Sequence, residues 1–94
     1  MDADDVFENF GIETSHRFTE EGLKASLSGL SDQEKYGFVL RAKGILPTAD
    51  GRWLHFDFVP EEFDVRYGAA DYTGRMAVIG SGLKEHEIRE LFGI

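Results

Sequence analysis

His55 and Asp57 stand two positions apart in a segment of alternating polar and apolar residues that runs from Arg52 to Phe58. Alternation of this kind is typical of a β-strand, in which both side chains face the same side about 6 to 7 Å apart. An imidazole and a carboxylate at that distance can share a zinc ion, but zinc sites use about three or four protein ligands. The chain contains only three histidines. A solvated sheet face explains the pair better, and we predict neither a metal site nor a catalytic residue.

The segment before this one also alternates, and it carries two cations, Arg41 and Lys43. The connection from Pro47 to Gly51 has the residues that turns require, because proline fixes φ and Asp-Gly permits positive φ. Together the two segments predict a β-hairpin. Because side chains repeat with a period of two, both cations share a face with His55.

The predicted register of this hairpin sets Arg41 opposite Asp57, as an ion pair, and Lys43 opposite His55. Trp53 falls on the same polar face, although aromatic side chains are usually buried. An aromatic on an otherwise solvated face is typical of a protein contact surface. We therefore predict that Arg41, Lys43, Trp53 and His55 bind a partner.

Composition limits the functions of the chain. Its 94 residues suffice for one domain, and eight phenylalanines among 41% hydrophobic residues can form a single core. Ten basic against eighteen acidic residues give a net charge of −8, which disfavours nucleic acid as a partner. There is no cysteine, so disulfides, thiolate metal sites and cysteine nucleophiles are excluded. No apolar run is long enough for a bilayer and the N-terminus is acidic, so we expect no membrane partner and a cytoplasmic location.

Sequence patterns outside the hairpin predict the elements that support it. Residues 1–10 are predominantly polar and acidic and are predicted to be a disordered lead or linker remnant, with the folded domain spanning residues 11–94. A first strand is predicted over 12–18. It leads into an amphipathic helix that Thr19 caps and that ends near Gly29.

A capping-box pattern that begins at Ser31 predicts one further helical turn before the hairpin. Strands are predicted over 62–67 and, as a central strand, over 75–79. A second amphipathic helix is predicted over 84–92, closed by Gly93. This order of elements predicts an α+β fold: a two-layer sandwich with a mostly antiparallel sheet of about four to five strands and two helices on one face.

Three strings resemble a family signature. They are a strand ending His-Arg-Phe at 16–18 that leads into a Glu-Glu-x-Leu helix, an Arg-Ala-Lys-Gly hairpin arm at 41–44, and a late strand ending Val-Ile-Gly at 78–80. In this order they resemble the C-terminal domain of CobW-type GTPases, which are GTP-dependent metallochaperones and cobalamin-biosynthesis proteins. The resemblance covers most of the chain, from Val6 to the end, and implies the accessory domain of a larger GTPase.

The resemblance also implies where the chemistry of such a protein lies. In CobW-like proteins the N-terminal domain holds the phosphate-binding loop, the magnesium site and a Cys-x-Cys-Cys metal motif, and none of these motifs occurs in this sequence. The implied role is an interaction or regulatory domain with no catalysis and no cofactor of its own. GTP, magnesium and a transition metal, zinc or cobalt, are implied for the parent protein. Its N-terminal GTPase domain and a metal-receiving client are the implied partners.

A second hypothesis uses the same polar face differently. A free-standing protein could bind a small ligand or a metal through Arg41, Lys43, His55 and Asp57. An upstream GTPase domain in the same reading frame would favour the accessory-domain hypothesis, and a genuine start codon at Met1 would favour the free-standing protein.

Overall fold

The structure is a computed structural model that describes residues 7–94. Its helices and strands, in chain order, are β1 (Glu8–Thr14), α1 (Glu20–Gly29), α2 (Gln33–Tyr36), β2 (Phe38–Pro47), β3 (Trp53–Val59), β4 (Glu62–Gly68), β5 (Gly74–Ser81) and α3 (Glu85–Phe92). The strands form one antiparallel sheet in the order β1-β5-β2-β3-β4. The predicted α+β sandwich is confirmed, with the four-residue α2 as a third helix. Within the described residues, no helix has the length and apolar character that crossing a membrane requires.

The core lies between one face of the sheet and the long helices. Leu54, Phe56 and Phe58 alternate along β3 and are essentially fully buried on the helix side. The ring of Phe56 stacks on Phe92 of α3 with 6.3 Å between centroids, and α1 contributes the fully buried Leu23 and Leu27. Because the helices cover only this face, the alternate residues of the strands line an open face.

The two long helices lie close to their predicted bounds: α1 begins after Thr19 and ends at Gly29 as predicted, and α3 begins at Glu85, one residue later than predicted. The Thr19 hydroxyl accepts a hydrogen bond from the Gly22 amide at 3.0 Å, which caps α1. Gly93 adopts the left-handed conformation, with φ of 76°, and ends α3. The predicted capping box at Ser31 is wrong, because Asp32 caps α2 instead. Its carboxylate accepts from the Lys35 amide at 3.3 Å, one position closer to the helix.

The first strand lies earlier in the chain than predicted. It spans Glu8–Thr14, so residues 8–10 of the predicted lead are part of the sheet, whereas residues 1–6 lie outside the described residues. Phe18, the predicted strand end, is buried and makes only an isolated bridge to Thr48. β1 is an edge strand, and Ile12 is the one residue in it that is buried. Its sequence therefore shows little of the alternation from which a strand is predicted.

The β2–β3 hairpin forms with a register two residues from the predicted one. Lys43 pairs with Asp57 and Ile45 pairs with His55. The turn sets this register, because the Thr48 amide donates to the Arg52 carbonyl at 2.9 Å and extends the hairpin by one pair. A register shift of two residues by itself moves no side chain to the opposite face.

One stretch of β2 does not alternate as predicted. A β-bulge between Val39 and Arg41 adds a residue to the strand relative to β5. Val39 is therefore buried and Leu40 is 40% exposed, whereas strict alternation would predict Leu40 on the buried side with Ala42, and Val39 on the open side. Beyond the bulge, from Arg41 onward, the predicted faces hold.

Gly44 is expected to be essential for the packing of the sheet against α3. A Cβ atom there would lie 2.6 Å from Cε2 of Phe56 and 2.8 Å from the Arg75 carbonyl oxygen, so Gly44→Ala should displace the ring and lower the free energy of unfolding by about 1 to 3 kcal/mol. The matched control is Gly11→Ala, whose Cβ would meet only the Met76 carbonyl oxygen at 3.7 Å. Urea unfolding of both variants measures the difference, and equal midpoints would contradict this account.

Candidate interaction groove on the open sheet face

A groove of about 440 Å³ runs along the open face of the sheet, across β2, β3, β4 and β5. It exists because alternate residues on neighbouring antiparallel strands project to the same side. Its charged and polar side chains are Arg41, Lys43, His55, Asp57, Arg66 and Arg75. We call this surface the cationic groove, because four permanent cations and one carboxylate line it in a chain of net charge −8.

The cations of the groove differ in their partners. Arg66 donates to Asp64 at 2.7 Å, and Arg75 pairs with Asp71 at 2.8 Å. Within residues 7–94, Lys43 makes no ion pair, although it lies directly opposite Asp57. Lys43 is therefore the groove cation whose charge is most available to an approaching anion.

Asp57 is held between two arginines. Arg66 Nη1 donates to its Oδ2 at 3.1 Å, and Arg41 Nη2 lies 3.7 Å from its Oδ1. The predicted Arg41–Asp57 pair is thus present, but it runs diagonally across the strands. Hydrogen bonds to Asp64 and then to Asp57 raise the pKa of Arg66 above its ordinary value. Both Asp57 oxygens face cations, which makes this carboxylate a poor metal ligand.

His55 is oriented by the loop that follows β4. Its Nε2 lies 2.8 Å from the Ala69 carbonyl oxygen, and a carbonyl can only accept, so Nε2 carries a proton. Gly68 leaves room for the ring, since a Cβ there would lie 2.7 Å from two of its atoms. This nitrogen is therefore unavailable to a metal. His55 and Asp57 do not form a preassembled zinc site.

The structure brings together three of the four residues predicted to bind a partner. Arg41, Lys43 and His55 line the cationic groove, whereas Trp53 lies at the start of β3 on the same face, half-buried between its pairing partners in β2 and β4, and outside the groove. Arg66 and Arg75 also line the groove, although they are not among the predicted residues. The alternation within β4 and β5 indicates their face, but only the strand order brings them beside Arg41.

The other two histidines lie away from the groove. His86, Glu87 and Glu90 place their ligand atoms within 4.8 Å of one another on α3, a spacing that follows from the helix alone. His86 and Glu90 are largely exposed, which agrees with the predicted solvated helix face. His16 is exposed and packs edge-on against Phe18 with 4.7 Å between centroids. We assign no site to either histidine.

The fold and the groove define a class of protein, a two-layer α+β domain with one open and charged sheet face. This chain belongs to the family of cobalamin synthesis protein CobW C-terminal domains, whose family model matches residues 7–93. The resemblance seen in the sequence is confirmed.

Two solved structures are similar to the chain. The zinc-bound YjiA GTPase from E. coli matches 92% of it with 25% identity and a TM-score of 0.71. A zinc-bound triple mutant of the YjiA GTPase matches 92% with 23% identity and a TM-score of 0.73, and this second likeness concerns the fold alone. The chain spans 28% of the length of each of these structures. No protein of curated function matches the sequence significantly.

The Arg41–Asp57 contact is expected to be weak because the two side chains are 58% and 41% exposed. A double-mutant cycle with Arg41→Ala and Asp57→Ala should give a coupling of about 0.2 to 1 kcal/mol in the free energy of unfolding. A control cycle replaces Asp57→Ala by Asp71→Ala, whose carboxylate pairs with Arg75, and should show a smaller coupling. Equal couplings in the two cycles would show that the diagonal contact contributes nothing specific.

Proposed function

We propose that this chain is the accessory interaction and regulatory domain of a CobW-like GTP-dependent metallochaperone, and that it has no catalysis of its own. Its cationic groove and Trp53 dock a partner protein, either the N-terminal GTPase domain of the parent chain or a metal-receiving client. The parent protein handles GTP, magnesium and a transition metal, zinc or cobalt, in the cytoplasm.

The observation that carries this proposal is the concentration of cations on the open sheet face of an acidic domain. Four of the ten basic residues line one groove. Charges of one sign collected in a cleft focus the field and attract a surface of opposite sign. Arginine and tryptophan are also among the residue types most enriched at interface hot spots. An acidic protein surface is therefore the partner that this face fits.

The proposed absence of catalysis is supported by the residues that GTP hydrolysis requires. A phosphate-binding loop needs a glycine-rich turn with a lysine and a serine or threonine, and the sequence contains no such motif. The cations of the groove sit on strands and not at a helix N-terminus. In the proposed arrangement the GTPase domain supplies the chemistry, and this domain supplies binding energy and orientation.

Docking is expected to involve Lys43 more than any other groove cation, because its charge is not already paired. Adding the GTPase domain of the parent protein to the 15N-labelled chain should shift the Trp53 indole resonance and the amides around Lys43. Lys43→Glu should weaken binding by roughly threefold to tenfold. The matched control, Lys24→Glu on α1, changes the same charge on the helix side and should leave the affinity unchanged. Shifts confined to the helix side would contradict the proposed surface.

A small anionic ligand is the second candidate, because about 440 Å³ lies within the usual volume of ligand pockets. A metal in the same place is disfavoured, because His55 Nε2 is hydrogen-bonded to the Ala69 carbonyl oxygen and Asp57 is ion-paired with two arginines. Stoichiometric zinc is therefore expected to leave the His55 ring resonances of the free chain unmoved. Inorganic phosphate serves as the comparison ligand. Saturable phosphate shifts at Lys43 would favour the small-ligand function, and tight zinc binding through His55 would overturn both proposals.

A further inference from the structure

Strand β4 ends the sheet, and its outer backbone edge has no partner within the described residues. Exposed edges of this kind are usually protected by proline, by charged side chains, lysine above all, or by a bulge. The charged residues of β4, Glu62, Asp64 and Arg66, are of both signs, so they disfavour only those strands whose charges do not match. The seven residues Glu62–Gly68 contain no proline and no lysine, and they pair with β3 without a register shift. Phe63 and Tyr67 remain 37% and 42% exposed on the helix side. The edge is therefore available for pairing with another strand.

The order of residues in β4 is complementary to itself. When a second copy of the strand runs antiparallel and the two copies of Val65 face each other, Asp64 lies opposite Arg66 of the second copy. The reciprocal pair forms on the other side of the axis. Phe63 then lies opposite Tyr67 of the second copy, so aromatic side chains meet on the helix side while opposite charges meet on the open side.

Neighbouring registers are unfavourable for identifiable reasons. A shift of one residue turns the aromatic side chains of one copy to the open face. A shift of two in one direction sets Asp64 opposite Asp64 of the second copy, and in the other direction it sets Arg66 opposite Arg66. Like charges directly opposite each other destabilise a pair of strands. Among these registers, only the one centred on Val65 sets both Asp64 and Arg66 of each copy opposite a residue of opposite charge.

We infer that β4 is a homodimerisation edge, on which two copies of this chain join through β4 into one continuous ten-stranded sheet. The occupant is a second copy because the strand complements its own sequence in both charge and aromatic pattern. The two-fold axis passes between the two Val65 residues and perpendicular to the sheet, so the helices of both copies lie on one side and both cationic grooves lie on the other. The inference is independent of the proposed function.

The charged pairs set the register more than they add strength. In the single chain Arg66 already donates to Asp64 at 2.7 Å and to Asp57 at 3.1 Å. In the dimer, Arg66 exchanges its contact with Asp64 of its own chain for a contact with Asp64 of the second copy. Its contact with Asp57 stays in place. The number of ion pairs is nearly unchanged, so the stabilisation comes from backbone hydrogen bonds and the aromatic pairs.

The strand at the opposite edge of the sheet, β1, is not complementary to itself. Strand β1 carries Glu8 and Glu13 and no cation, so no self-pairing of β1 can bring opposite charges together. Glu8 also accepts a hydrogen bond from the Leu83 amide and is engaged within its own chain. Four strand spacings, about 19 Å, separate the two edges. The described part of the chain therefore begins at the edge opposite β4.

Sedimentation equilibrium of the 94-residue chain tests the inference. A single strand edge buries less than the standard interface of about 1,600 Å², so the dissociation constant should be high, roughly 10 to 500 μM, and measurements must reach about 1 mM. Asp64→Arg and Arg66→Asp should each abolish the dimer, because each sets like charges across the axis. An equimolar mixture of the two variants should form a heterodimer, because the two arginines of one variant then lie opposite the two aspartates of the other. The double variant, which carries both changes and keeps the net charge, should dimerise as the native chain does.

The controls make the same charge changes on α3, with Glu85→Arg and Arg89→Asp, which are ion-paired to each other and remote from β4. They should dimerise like the native chain. Circular dichroism confirms that each variant is folded. A native chain that is monomeric at 1 mM would overturn the inference, as would single variants that still dimerise or a mixture that shows no heterodimer. If a single variant does not fold, the double variant decides, and its failure to dimerise overturns the inference.

Discussion

The packing of Phe56 is the contact on which the rest of the structure depends. Its ring lies over Gly44 of the neighbouring strand and stacks on Phe92 of α3, so one side chain joins two strands and a helix. A fully buried phenylalanine contributes about 1.5 to 3 kcal/mol by removal from water, and here the glycine opposite provides the space for it. Because the aromatic layer on β3 draws both long helices to one side, the other side of the sheet remains uncovered. The cationic groove is a direct consequence of this one-sided core.

The sequence predicts the faces of this fold better than its registers. Alternation with a period of two shows which side Lys43 and His55 occupy, and those assignments are correct. It cannot distinguish two registers that differ by two residues, since both bury the same side chains. The choice is made by the turn, where Thr48 and Asp50 hydrogen-bond Arg52 and lengthen the hairpin by one pair. The bulge at Leu40 is equally invisible, because valine and leucine suit either face.

The candidate site is only partly readable from the sequence for a related reason. Arg41, Lys43 and His55 belong to one hairpin, so local pattern brings them together. Arg66 and Arg75 join them only because β4 and β5 flank that hairpin on opposite sides, and strand order is decided by the packing of the whole sheet. Trp53 illustrates the converse. Its face is predicted correctly, but its position at the end of β3 keeps it out of the groove.

The one-sided cover also leaves the cations of the groove in contact with water, within a chain whose net charge is −8. An acidic partner is therefore repelled by the chain as a whole, and the groove attracts it only within roughly one Debye length, about 8 Å at physiological ionic strength. Arg66 and Arg75 are already paired with carboxylates, so this short-range attraction falls mainly to Lys43. Charge in the groove therefore selects the orientation of a partner that is already close and does little to speed its approach.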